Sequence, residues 1–314
     1  MVIFMVSLIQ KNEEKRKKRL SWTIMALLLI LGVLLLLDLE GCPSPKNTNP
    51  DDFSTKLYTI LGSSGSFEVR SGSEIIGSGE IQTVINSIRT HADGGACSIQ
   101  LGDGTNILNI NSEQIDFNNT GGIWGMITLS GKITSSRDSS PHWTIRLADN
   151  VSATSTADIA ATGIDAWAID NTGKGVLKIN GGIISSISGS SAVAVMNSDK
   201  GTVNISGGTI MATTYVSVYN RGILNIIDGT ISSSTGRAVF NEFAGVANIS
   251  GGKLEAIGDY GRAVHHASTG TLIISNGTIT ANTGSNSFAV FDAGTGEVTI
   301  NSPPAVINGR IGKL

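Results

Sequence analysis

Between residues 165 and 302 the chain repeats one pattern of apolar and polar positions. Six segments run glycine, any residue, apolar, any residue, isoleucine, starting at Gly175, Gly201, Gly222, Gly245, Gly270 and Gly296, at intervals of 26, 21, 23, 25 and 26 residues. Five of the six pass through a turn with a second glycine into a short strand carrying Ile183, Ile210, Ile231, Leu254 or Ile279. Upstream of each first glycine stands another unit: a small residue, Val or Ile, any residue, then a polar side chain. Alternation in such short runs predicts strands, three to a repeat, separated by turns. One unit cannot bury its own apolar face, so a period in the low twenties predicts a solenoid. Equivalent strands of successive coils then stack in parallel, about 4.8 Å apart. The predicted fold class is all-β: a single-stranded parallel β-helix, right-handed by the general hand of parallel crossovers.

The polar residues that close the upstream units are Asn171, Asn197, Asn220, Asn241, His266 and Asp292. This column and the coil period resemble the right-handed β-helices of the pectate-lyase-like superfamily, over roughly residues 80–314. The resemblance implies inward asparagines stacked coil upon coil as a structural ladder at one tight turn. An amide has two donors and an acceptor, so each can bond both its neighbours and the turn backbone. His266 and Asp292 depart from asparagine and mark a local change in that ladder.

Upstream the pattern fades: residues 125–133 match well, 143–147 and 105–110 weakly. Counting these gives about nine coils and a rod about 40 Å long. Ile81, Val84, Ile85 and Ile88 fall at helical spacing before Asp93-Gly94-Gly95. They predict an amphipathic helix over 80–90 that plugs the N-terminal end of the stack, where strand edges would otherwise lie open. At the other end Pro303-Pro304 predicts that strand pairing stops, with no capping helix.

The 314 residues are 40% hydrophobic and 15% charged, with 39 glycines, 6 prolines and 5% aromatics. That mixture suits short strands and tight turns and argues against disorder. The net charge of −3 includes six basic residues in the first 19. Beyond residue 41 there remain 16 basic and 21 acidic side chains, which excludes the basic stripe of a nucleic-acid binder. Two cysteines exclude a disulfide scaffold. Cys97 alternates with Ile99 and Leu101 and reads as a small buried hydrophobe.

The basic cluster at 15–19 precedes an uncharged apolar run, 20–37, then Leu39-Glu40-Gly41-Cys42 and a stretch rich in Pro and Asn. Basic residues stay cytoplasmic while the apolar run enters the bilayer, so the remainder is expected to be exported. The Leu-x-Gly-Cys ending resembles a bacterial lipoprotein signal, which implies cleavage before Cys42 and lipidation of its sulfur. An uncleaved signal anchor is the alternative, since eighteen apolar residues just span the hydrocarbon core. The domain reading is a signal peptide or anchor over 1–41, a flexible tether over 42–65, and the β-helix over 66–314.

Superfamily members include polysaccharide lyases and hydrolases, so the resemblance raises an enzymatic alternative. A lyase needs carboxylates for calcium and a basic residue for the α-proton; a hydrolase needs two carboxyl groups at a set separation. The acids Asp165, Asp170, Asp199, Asp228, Glu242, Glu255, Asp259, Asp292 and Glu297 scatter over different columns and assemble no pair. Asp51-Asp52 falls in the tether. No metal set or cofactor motif is read: His265 and His266 point to opposite faces of a strand, His265 reading as surface. One column carries a binding expectation. If the Val or Ile of each upstream unit points inward, its neighbours Asp170, Met196, Tyr219, Phe240, His265 and Phe291 point outward. Of these, Tyr219, Phe240, His265 and Phe291 would form an exposed ribbon able to contact a glycan or a host or matrix protein. The alternative is that these rings are covered. The expected function is an exported, lipid-anchored, non-enzymatic adhesin or ligand-binding rod. A polysaccharide-active enzyme and a structural envelope protein are the alternatives.

Overall fold

A computed structural model describes residues 55–138, 142–282, 284, 286–301 and 305–314. The leader over 1–41, the lipidation site Cys42, Asp51-Asp52 and Pro303-Pro304 lie outside the described residues. Among the described residues no helix is long and apolar enough to cross a membrane.

The chain winds into a parallel β-solenoid of about eight turns, against about nine counted from the spacing. Each turn feeds two sheets. The first sheet, of 15 strands, places Val176–Ser188, Thr202–Ala212, Ile223–Ser233, Val246–Ala256 and Leu272–Ala281 side by side in parallel. The second, of 9 strands, stacks Ala166–Asn171, Val193–Asn197, Val216–Asn220, Arg237–Phe243, Arg262–Ser268 and Phe288–Asp292.

The first two strands of each repeat are thus one hydrogen-bonded strand with a bend. The ladder shifts register at the bend, where Gly182, Gly208, Gly229, Gly252 and Gly277 hold positive φ. At Gly208, φ is 82° and a Cβ would lie 2.8 Å from the Gly181 backbone of the preceding coil. Gly208→Ala is expected to cost about 1–3 kcal/mol through left-handed strain and this collision. A lowered urea midpoint checks it; an unchanged midpoint would mean the bend does not need glycine.

Inside, like stacks on like. Leu177, Val203, Leu224, Ala247 and Leu272 form one buried column in register, and Ile179, Ile205, Ile226, Ile249 and Ile274 form the next. Past the bend the buried column is Ile184, Ile210, Ile231, Leu254 and Ile279. Ile183 therefore does not belong to it and stands half exposed. The two adjacent isoleucines hid a slip of one residue, which flips a strand side chain to the other face.

The N-terminal end is closed by more than a helix. Strands β1 (Lys56–Ser63), β2 (Ser66–Ser71) and β3 (Glu74–Gly79) form an antiparallel meander. Strand β1 also pairs in parallel with β4 (Cys97–Leu101) of the first coil. The expected tether over 42–65 is corrected here, because residues from Lys56 onward are sheet with Tyr58 and Ile60 buried. Helix α1 (Ile81–Ala92) packs on β2 and β3 and buries Ile81, Val84, Ile85 and Ile88, the face read from their spacing. It ends where Asp93 turns left-handed at φ 49°. Cys97 lies wholly buried in β4, and burial pushes its thiol pKa up to about 11.

At the C-terminal end pairing does not stop at the prolines. Val306–Asn308 pairs in parallel with Leu272–Ala281, and Ile311–Lys313 with Phe288–Asp292. Proline removes only its own donor, so a strand can resume beyond it.

Candidate ligand-binding face

The second sheet carries both residue columns singled out in the sequence, one on each of its faces. Inward, Asn171 Nδ2 donates to Asn197 Oδ1 at 3.0 Å, Asn197 to Asn220 at 2.7 Å and Asn220 to Asn241 at 2.7 Å. Each amide also donates to a carbonyl of its own turn, at Gly175, Gly201, Gly222 or Gly245. The repeat's first glycine is what lets the turn close on the ladder: at Gly201 a Cβ would lie 2.5 Å from the Asn171 amide nitrogen. The chain of amides starts at Asn171 because Leu147 occupies its register position in the coil before, leaving Asn171 Oδ1 without a donor.

Asn241 Nδ2 lies 3.1 Å from His266 Nδ1. That contact makes Nδ1 the acceptor and places the ring proton on Nε2, which has no partner. Burial lowers the His266 pKa, with Asp292 opposing. Asp292 turns instead to the Gly294 N–H at 3.2 Å and the Lys313 ammonium at 3.5 Å. A second, outer ladder lies on the first sheet, where Asn248 donates to Asn225 and Asn225 to Asn204 at 2.8–2.9 Å. The signal for it was in the sequence, since all three hold the fourth position of the glycine-led pattern.

On the outer face Asp116, Arg146, Asp170, Met196, Tyr219, Phe240, His265 and Phe291 stand in one register column. Met196, Tyr219 and Phe240 form an apolar cluster with Val193 and Val216, separate from the solenoid interior. The ribbon is therefore outside the main core, but it is not exposed. Tyr219 is 8% accessible, Phe240 7% and His265 6%; Phe291 is only partly covered. The rings cover one another: Tyr219 meets Phe240 edge-on at 5.0 Å, Phe240 stacks on His265 at 4.7 Å, and His265 tilts against Phe291 at 5.3 Å.

Arginines complete the cover. Arg237 lies over Phe240 at 4.7 Å, Arg262 over Phe291 at 4.1 Å and Arg221 over Tyr219 at 5.1 Å. Guanidinium planes on ring faces hold position while their edges remain free to bond. Tyr219 Oη donates to Glu242, which also pairs with Arg221 at 3.4 Å. Sequence reasoning missed these arginines, because they come from the neighbouring register column and from the turns.

Earlier coils continue the same face with different chemistry. Arg146 forks onto Asp116 and lies 4.4 Å over Trp143. Asp170, 3% accessible, leaves Oδ1 unpartnered. Burial pushes its pKa up to about 7, against the pull of Arg146 and with a small push from Asp116. No group of three His, Cys, Asp or Glu placed to hold a metal ion occurs among the described residues.

The buried charges give opposite pH slopes. Asp170 has a folded pKa above its ordinary 3.8. Its contribution is therefore full below about 3.8 and lost as pH rises toward 7. His265 is pushed down to about 3 by burial, then by Arg237, Arg262 and His266. Its contribution is full above about 6.5 and lost as pH falls toward 3. Asp170→Asn is thus expected to raise the urea midpoint at pH 8 and to leave it nearly unchanged at pH 3.5. An equal gain at both would sink the assignment.

Fold and face together define a parallel β-solenoid with an arginine-covered aromatic column on one sheet. No protein-family model matches the chain, and no curated protein or solved structure matches it significantly.

Proposed function

We propose that the protein is an exported, lipid-anchored bacterial surface protein that binds a ligand along the outer face of its second sheet, as an adhesin does, without catalysis. Export and anchoring rest on the basic cluster at 15–19, the apolar run at 20–37 and the Leu-x-Gly-Cys ending at Cys42. Kinship with the pectate-lyase-like superfamily rests on the coil period and the asparagine column. The observation that carries the binding reading is the contrast between the two outer faces. The first sheet's outer column mixes Ile183, Thr209, Thr230, Lys253 and Thr278 in register, and its five long strands from Val176 to Ala281 carry no aromatic ring and no arginine. The second concentrates aromatic rings and guanidinium groups, the side chains enriched where proteins bind partners.

A polysaccharide-active enzyme is the second reading, favoured by Asp116 and Asp170 standing two strands apart on either side of Arg146, which itself lies over Trp143. Two strand spacings set their backbones about 9.6 Å apart, and inverting hydrolases hold two carboxyl groups about 6.5–9.5 Å apart. The test presents the full chain, in non-ionic detergent, to uronate polymers, neutral glycans and matrix proteins, and reads both retention and chain cleavage. Retention without cleavage is expected. Cleavage would hand the function to the carboxylates, and silence in both would leave an envelope protein without a specific ligand. Anchoring has its own check: labelled fatty acid is expected on the full chain expressed in a bacterium and absent from Cys42→Ser. Label persisting on that variant would end the lipoprotein reading.

A further inference from the structure

Two positive charges on the second sheet have no negative partner among the described residues. Arg237 and Arg262 are register partners on adjacent coils, so their backbones lie about 4.8 Å apart. Both guanidinium groups turn to the same imidazole: Arg237 Nε donates to His265 Nδ1 at 2.8 Å, and Arg262 Nη1 lies 3.3 Å from the same nitrogen. No ion pair to a carboxylate forms at either arginine among the described residues. Arg146 and Arg221, on the same face, do have one, with Asp116 and Glu242. Desolvation and Arg237 both lower the Arg262 pKa, the signature of a half-buried charge set against its like.

Two buried donors beside the pair are also unmet. Because Nδ1 of His265 accepts, its proton sits on Nε2, and that buried N–H has no partner. Nε of Arg262 is likewise buried and unbonded. Buried donors without acceptors and paired like charges each raise the energy of the unliganded protein. A single oxyanion seated across the two guanidinium groups would neutralise the paired charges, in the forked geometry arginine offers to carboxylate and sulfate.

The geometry points to an oxyanion subsite formed by Arg237 and Arg262, drawn together by His265 Nδ1, which takes a carboxylate or sulfate group carried on an acidic glycan. This rests on the binding face proposed above and gives it a ligand class. The aromatic rings beneath are covered, so they orient the arginines, and contact with the glycan is made by the guanidinium edges.

The full chain in non-ionic detergent is titrated with dextran sulfate, alginate and uncharged dextran. Binding of one or both acidic polymers, weakening with salt, with none of dextran, is expected; the two acidic arms tell sulfate from carboxylate. Arg237→Gln with Arg262→Gln is expected to weaken that binding at least about tenfold, since two charge-assisted bonds are lost, with the melting temperature maintained. Equal binding of dextran, or acidic binding undiminished in the double variant, overturns the subsite and leaves the face reading standing. Binding of no glycan overturns the subsite, and the matrix-protein arm above then decides the face on its own. A readout on the unsubstituted protein covers a double variant that fails to fold. With only 4 histidines in the chain, the His265 ring can be followed by NMR. Saturation with the bound polymer is expected to raise its pKa by neutralising the two arginines, and an unmoved titration overturns the site.

Discussion

Asn220→Ala lowers the stability of the solenoid by roughly 2–4 kcal/mol, read as a fall in the urea midpoint. Asn220 is wholly buried and sits in the middle of the inner ladder. Its Oδ1 accepts from Asn197. Its Nδ2 serves Asn241 Oδ1 and the carbonyls of Gly222 and Val246. Alanine removes four contacts and leaves their partners in a place water does not reach, where each unmet polar group costs about 1–3 kcal/mol. Bonds to three successive coils go at once, so the loss should spread beyond one turn. Asn225→Ala is the control. Asn225 makes the same amide-to-amide bonds on the outer ladder, but it is only part-buried, and water can replace what is lost. Its cost is expected to stay below about 1 kcal/mol. Equal costs for the two variants would mean that burial is not what gives the inner ladder its weight.

Phe240→Ala is expected to cost about 3–5 kcal/mol, the range for truncating a buried aromatic. The ring is held on one side by Tyr219, on the other by His265, and from above by Arg237. Deleting it opens a void between coils and strands the Arg237 guanidinium without its ring. Phe240→Leu keeps most of the volume and should cost clearly less. A loss under about 1 kcal/mol for the alanine variant would show the ring to be a solvated surface group, as simple alternation suggests. The distinction bears on function. Serine at Tyr219, Phe240 and Phe291 would damage the fold along with any binding, whereas changes at Arg237 and Arg262 leave the stack of rings in place.

Much of the fold was legible because a solenoid writes the same environment into every turn. The glycine-led pattern, the columns of Ile and Leu, and the asparagines at the tight turn recur because each coil meets the same neighbours. Helix α1 was legible from the spacing of Ile81, Val84, Ile85 and Ile88. The meander β1–β3 was not. It belongs to no repeat, although the alternation Phe67, Val69 is there and both are buried. The slip between Ile183 and Ile184 was hidden because two adjacent isoleucines satisfy either phase.

The sequence by itself determined the all-β coil stack, the inner polar column and which residues of the second sheet share a register position, since these follow from period and alternation alone. Only the tertiary structure decided what the outer column does. Whether Tyr219, Phe240 and His265 face water depends on rings from other coils, 21 to 26 residues away in the chain, and on arginines that do not keep the repeat. Alternation assigns a side chain to a face, but it carries no information about what lies over that face. The meeting of Arg237 and Arg262 over one imidazole arises in the same way, because 25 residues of chain separate them and parallel stacking alone brings them together.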